Sequence, residues 1–441
     1  MEVRMDNGKR YFAALLALLV LVPFGWGNGL NLNSLGTRAL TMGGAFVGLA
    51  DDFSVVFWNP AGAAGFTSKY FGFYGTDLIP TNKYRLDVPL RGSGMTLVDA
   101  KTKMSHYLGG MAAYYHPISD RLVLGIGVYT PSGLGANWDG SDFAALTGNK
   151  SYDWTSKVGM VSFSPLMAYK INDMISVGVT LNVNYGMFSI KMHAGETELP
   201  VPPFALDLGQ YEESMNGWGL GATFGVLVKP SQDVSFGLTV RTPSTVAFKG
   251  DAQISNLSRL GYSGTSALKR NLTFPLWIAG GVAFRPMDKL VLTADVQWTK
   301  WSTIKNLNTD FTDPAWKALM RLGGQDVRKM DWSDKTQLRF GAEYLLTNSL
   351  ALRAGTYFDP TPSPDTTVNV LIPSYTFNTV TFGVGYKIAD LQLDFGLEYL
   401  MGKERNVDYI KTVTDPAFKS AMPGTFKMRL VVPNVSVGFR F

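Results

Sequence analysis

The chain has 441 residues, of which 17% are charged and 13% aromatic, with 47 glycines, no cysteine and three histidines. Disulfide and thiolate chemistry are excluded, and His106, His116 and His193 are too few and too dispersed for a histidine-based metal site. The formal charge of +5 is spread without basic runs, so nothing supports nucleic-acid binding.

Residues 1–27 carry Arg4, Lys9 and Arg10, then the apolar stretch Tyr11–Val22, then Pro23 and Gly25-Trp26-Gly27. This pattern predicts a cleaved secretory signal, too short to span a bilayer as a helix; a short retained anchor is the other reading. No later run of about 18 apolar residues follows, so no transmembrane helix is expected. The mature chain is then secreted, periplasmic or an outer-membrane barrel.

The stretch ADDFSVVFWNPAG (residues 50–62) is neither an amphipathic helix nor an alternating strand. Pro60 restricts Asn59 to extended or turn geometry, and the Asn59 amide both donates and accepts. Taken alone, Asn59-Pro60-Ala61 reads as a turn before the first strand.

Beyond it the chain alternates with period two. LVLGIGVYTPSGLGANW (122–138) alternates to Tyr129, then meets Pro131, Gly133 and Gly135. Proline gives no ladder donor and glycine permits bulges, so the strand either kinks here or ends at Thr130. In ISVGVTLNVNYG (175–186), QLRFGAEYL (337–345) and LQLDFGLEYL (391–400), apolar residues oppose Ser, Asn, Gln, Arg, Asp and Glu. These runs are long enough to cross a bilayer when tilted. Their apolar faces finish in Trp298, Tyr344, Tyr386 and Tyr399, as an interfacial girdle would.

Short turns fall at 116–121, 170–175, 229–234, 285–290, 345–350 and 387–391. Long connections fall near 79–106, 131–156, 191–214, 249–273, 305–334, 359–376 and 401–427. The alternation gives fourteen strands with both ends on the short-turn side. The fold class is therefore all-β: a 14-stranded antiparallel outer-membrane barrel. Asp-Pro pairs open two helical pieces inside loops, at 313–324 and 415–422. PNVSVGFRF closes the chain on an aromatic, like the signal read by the outer-membrane barrel assembly machinery. Fourteen strands enclose a lumen wider than side chains fill. GLGATFG (219–225) alternates as a strand and lacks a following helix, so it is no phosphate loop. No Gly-x-Ser-x-Gly occurs. Neither an enzyme nor a cofactor is expected.

The segment from Gly29 to Phe66, with Gly29–Asn33, Ala50-Asp51-Asp52 and Asn59-Pro60-Ala61, resembles the N-terminal plug of the FadL-type long-chain fatty-acid transporters. That family also includes TodX-type channels for aromatic hydrocarbons. TPSGLGANW (130–138), residues 162–182, residues 217–230 and DWSDKTQLRFGAEY (331–344) fit it too. The resemblance covers the mature chain and implies three parts: a signal at 1–27, a plug at 28–67 and a monomeric barrel at 68–441. It also implies passive entry of hydrophobic molecules, with long-chain fatty acids as cargo and sideways exit into the outer-membrane lipid. Uptake of monoaromatics or alkanes is the alternative, and a general porin or structural barrel the alternative from another class.

The resemblance assigns Pro131, Gly133 and Gly135 to a kink that opens the wall. It sets the gate Asn59, Pro60 and Ala61 against that kink. A carboxylate cargo needs a cation in a dry lumen. Arg339, Arg353, Lys191 and Lys335 are the candidates, though each could instead pair with lumen acids such as Glu343, Asp394 and Glu398. As best aligned, the basic residues of the fatty-acid members fall at Met192 and Ser333, which weakens a carboxylate ligand. The apolar stretch 199–206, with Leu199, Val201, Phe204 and Leu206, is either a capture groove or packing against the next loop.

Overall fold

In the computed structural model, residues 29–90, 93–198 and 205–441 are described. The expected signal segment lies outside them. Period-two alternation becomes fourteen antiparallel strands among the described residues. They are β1 Tyr70–Leu90, β2 in two pieces (Ser93–Lys101 and Tyr107–Pro117), β3 Leu122–Trp138, β4 Trp154–Lys170 and β5 Ile175–His193. Next come β6 Gln210–Val228, β7 (Val234–Arg241 and Ser244–Ile254), β8 (Thr265–Phe274 and Trp277–Met287) and β9 Leu290–Thr299. The last five are β10 Lys335–Leu345, β11 Leu350–Asp359, β12 Phe377–Ile388, β13 Leu391–Gly402 and β14 Gly424–Arg440. Pairing of β14 with β1, from Tyr70↔Arg440 to Arg85↔Thr425, closes the barrel.

The polarity is that of a membrane barrel. Phe395 and Leu220 point outward, 61% and 65% exposed, while Asp394 and Glu398 are buried inside. A water-soluble sandwich would place these side chains the other way round.

Two long connections expected from the sequence are largely strand. β1 continues to Leu90 and pairs with Ser93–Lys101, and β7 continues to Ile254 and pairs with Thr265–Phe274. Above the bilayer the outer face meets water, so Lys83, Arg85 and Asp87 are exposed there while Tyr84 and Leu86 remain buried. The change of outward residues from apolar to charged reads as a loop although the ladder persists.

Residues 29–66 lie inside the barrel. They contain α1 Thr37–Thr41, α2 Val55–Trp58 and a 3-10 turn at Pro60–Gly65. Their partners encircle them: Tyr115 of β2 donates to Phe53 O, Ser235 of β7 to Gly48 O and Thr381 of β12 to Thr41 O. A segment bonded to strands on opposite sides of a barrel occupies its lumen. Gly43, at φ 66°, permits a close approach to the wall, since a Cβ there would collide with Phe340 O and the Thr356 backbone.

Among the loops, the helix expected at 313–324 is α3 Pro314–Leu322, capped by Asp313 accepting from Ala315 N and Trp316 N. The piece expected at 415–422 is only a single turn, Pro416–Phe418, and the helix α4 Tyr409–Thr414 precedes it. Asp415 does cap that turn, but Pro423 and Gly424 leave no room for more turns before β14.

Candidate functional site

Three anchors fix the lumenal segment. Arg38 of α1 donates Nε and Nη2 to Glu343 of β10, each at 2.7 Å, and also pairs with Asp51. Glu343 accepts a third bond from Arg353 of β11 at 2.6 Å, and Arg353 reaches Asp394 of β13 at 2.7 Å. Asp295 of β9 accepts from the Phe46 and Val47 amides, both at 2.9 Å. Asn59 uses both ends of its amide: Nδ2 donates to Val47 O and to Val226 O of β6 at 3.0 Å, and Oδ1 accepts from Ala61 N.

Asn59, Pro60 and Ala61 therefore meet the wall at β5, β6 and β7, where Gly178, Gly225 and Gly237 let the backbone approach. This corrects the expected contact with Pro131–Gly135. The segment hydrogen-bonded to the kink is Leu30–Leu32. Leu32 N donates to Pro131 O at 2.9 Å, and Ser132 Oγ donates to Leu30 O at 2.5 Å.

The β3 strand does not end at Thr130. It shifts register against β4 between Tyr129 and Ser132, then pairs on to Trp138↔Trp154. Towards β2 its ladder stops at Met111↔Tyr129. The two strands meet again at Lys103 N to Asn137 O and at the Thr102–Trp138 bridge. Between these points the wall has a discontinuity. The Gly133 Cβ position faces open space, whereas that of Gly135 is crowded by Tyr107 and Ser156 O.

Above Leu30–Leu32 lies a chamber with apolar walls that include Leu134, Val158, Leu371, Tyr375 and Leu430. Among its described lining residues no Lys or Arg occurs, but Asp359 and Glu398 do. Asp359 accepts from Asn33 Nδ2 and Glu398 from Tyr357 OH.

The four expected headgroup cations do not line this chamber. Arg339 is buried against the lumenal segment, donating to Gln337 Oε1 at 2.8 Å and Gly43 O at 3.0 Å. Arg353 belongs to the Glu343–Asp394 network. Lys191 pairs with Glu212 at 3.1 Å near the outer end of β5. Lys335 borders a separate outer cavity, beside Lys403 and Arg405. Of the expected capture residues, Leu206 lies on a small hairpin, Glu196–Glu198 with Ala205–Asp207. Leu199, Val201 and Phe204 lie outside the described residues.

Three groups escaped sequence reasoning. Arg241, at the inward end of the alternating run 234–241, lines a smaller cavity beside Pro131. Asp207 ties that outer hairpin to the loop after β3, accepting from Lys150 Nζ at 2.6 Å, from the Tyr152 hydroxyl and from Gly209 N, and pairing with His193 Nε2 at 2.9 Å. Burial opposes its ionisation, yet these bonds hold its carboxyl well below the usual carboxylate range. Asp52, buried in the lumenal segment, is pushed the other way, to about 6, by loss of solvent. For Arg241 the only available signal was an inward basic residue at the end of an alternating run; Asp207 and Asp52 had none.

A model of the family described as outer membrane protein transport protein (OMPP1/FadL/TodX) matches residues 18–441. Outer membrane protein P1 of Haemophilus influenzae is 24% identical over 92% of this chain and 94% of its own. The long-chain fatty acid transport protein of Escherichia coli strain K12 is 22% identical over 90% and 93%. A crystal structure of a Pseudomonas aeruginosa FadL homologue superposes with a TM-score of 0.76 at 18% identity, covering 94% of this chain and 100% of that one. The match of family model and closed fourteen-stranded barrel along nearly all of the sequence leads to one conclusion: the chain belongs to the OMPP1/FadL/TodX family of outer-membrane transport proteins and resides in the outer membrane.

Proposed function

We propose that this protein lets hydrophobic molecules enter the outer membrane passively, with long-chain fatty acids as the main cargo. The observation that carries this reading is the apolar chamber above Leu30–Leu32, whose floor is hydrogen-bonded to the discontinuous strand β3. Outer loops capture the molecule, the chamber takes its chain, and movement of the lumenal segment frees a sideways path at Pro131, Gly133 and Gly135. The driving force is removal of apolar surface from water, roughly 0.8 kcal/mol per CH₂. Residues 28–67 act as the plug and 68–441 as the barrel. The barrel works as a monomer after insertion by the barrel assembly machinery.

Asn59-Pro60-Ala61 remains part of the gate in this reading, as the hinge that holds the plug to β6. Of the four headgroup candidates, Lys335 is the one placed beside an outer cavity, where it would meet a carboxylate first. A second reading, uptake of neutral monoaromatics or alkanes, is favoured by the absence of Lys and Arg from the described chamber wall. A general porin is disfavoured because the lumen is filled.

The test is binding and uptake with the purified, reconstituted protein. Oleate or toluene should bind, and deletion of Asn59–Ala61 should abolish uptake while the barrel still forms. Unchanged uptake after that deletion sinks the gating part. Ion conductance of porin size with indifference to both ligands sinks the whole reading.

A further inference from the structure

The arginines of the lumen are mostly neutralised. Arg38 and Arg353 share Glu343, and Arg270 of β8 forms a two-pronged pair with Glu213 of β6. Arg241 differs. Its guanidinium lies between the rings of Phe57, at 4.4 Å, and Trp277, at 4.8 Å. Nη2 donates to Phe57 O at 2.7 Å, and the buried Nε has no acceptor. Among the described residues no carboxylate is ion-paired with it.

Arg241 also faces open space. It lines a small cavity together with Tyr129, Pro131, Asn182 and Asn184. The polar groups around it are neutral and satisfy one another: Tyr129 OH and Ser164 Oγ donate to Asn182 Oδ1, and Ser162 Oγ donates to Asn184 Oδ1. A lone cation in a neutral wall, with an unused N–H, is a site for an anion. The cavity adjoins the kink through Pro131, and Asn31 borders both it and the apolar chamber.

We infer that Arg241 receives the carboxylate head of a single-chain amphiphile whose apolar chain occupies the chamber, just inside the opening of β3. This rests on the hydrophobic-transport reading and names the residue that selects a charged head. The two rings hold the guanidinium flat and partly desolvated, which sharpens its preference for a planar carboxylate over a hydroxyl. The chamber wall offers the head no cation among its described residues, so the molecule settles with its head past Asn31. A neutral molecule gains nothing from Arg241.

The experiment compares oleate with oleyl alcohol, which share a chain and differ at the head, on wild type, Arg241→Gln and Arg241→Lys. Wild type should bind both. Arg241→Gln should weaken oleate by about tenfold or more, equivalent to about 1.4 kcal/mol, and leave oleyl alcohol within about twofold. Arg241→Lys, which keeps the charge but not the planar fork, should lower the oleate-to-alcohol ratio by about threefold or more. It supplies the answer if the Gln variant fails to fold. Equal loss of both ligands makes Arg241 a structural tether of α2 and overturns the inference, as does an unchanged ratio in both variants. Wild type that binds the alcohol but not oleate overturns the head-group assignment alone. Wild type that binds neither overturns the transport reading as well.

Discussion

The Leu32 amide donates to the Pro131 carbonyl at 2.9 Å, so the start of the lumenal segment is joined to the point where β3 leaves its neighbour. Ser132 Oγ adds a second bond to Leu30 O. If this junction must part during transport, locking it stops transport. The chain has no cysteine, so a Leu30→Cys, Ser132→Cys pair can be oxidised without competing thiols. The oxidised protein should lose most uptake of labelled oleate, and reduction should restore it. Equal uptake in both states would show that the junction stays closed during passage.

Asn59 occupies both hydrogen-bonding ends of its amide and joins the lumenal segment to β6 while also closing its own turn. Asn59→Ala leaves the Val47 and Val226 carbonyls without that donor in a buried setting. The expected loss is about 1–3 kcal/mol, confined to the lumenal segment because the barrel ladders are untouched. Hydrogen exchange should speed up for amides within 45–62, with heat-resistant mobility of the barrel on gels unchanged.

Glu343 sits between Arg38 and Arg353 and is the link between segment and wall. Glu343→Gln keeps the shape but leaves two buried guanidinium groups with less compensation. The expected cost to the docked segment is about 3 kcal/mol or more. A double-mutant cycle with Arg38→Met should give a coupling of about 1–3 kcal/mol, read from protection of the Phe46 and Val47 amides. Additive effects would mean that the pair does not hold the segment.

The strand count and the sign of each face were legible because they are local. Asp394 and Glu398 opposite Phe395 and Leu397 declare a polar interior within ten residues. The six short turns fall where expected for the same reason. The anchors were not legible, since Phe46 meets Asp295 across 249 positions and Arg38 meets Glu343 across 305. Nor could sequence rank Arg241 against Arg339 and Arg353, all inward-facing at ends or middles of similar strands. Which of them faces a cavity depends on where the lumenal segment packs, and that is a long-range property. The match of Asn59-Pro60-Ala61 to the family implied contact with the kinked strand, whereas the segment bonds to β6.

Asp52 gives the segment a pH dependence. It is buried, accepts from Ser54 N at 2.8 Å and Ser54 Oγ at 2.5 Å, and has Arg38 and Asp51 nearby, with Tyr70 and Arg440 lining the same inner cavity. Loss of solvent outweighs Arg38 and the serine bonds and raises its carboxyl from 3.8 to about 6. Between those values the docked segment binds a proton more readily than the undocked one. Docking is therefore strongest near pH 4, weakens as pH rises through 6, and changes little above that. The full span is at most about 3 kcal/mol. Wild-type amides at 53–58, next to Asp52, should be better protected at pH 5 than at pH 7 after correction for intrinsic exchange. Asp52→Asn should flatten the difference and match wild type at the lower pH. A wild-type profile that is flat, or a slope that survives in Asp52→Asn, would assign the dependence elsewhere.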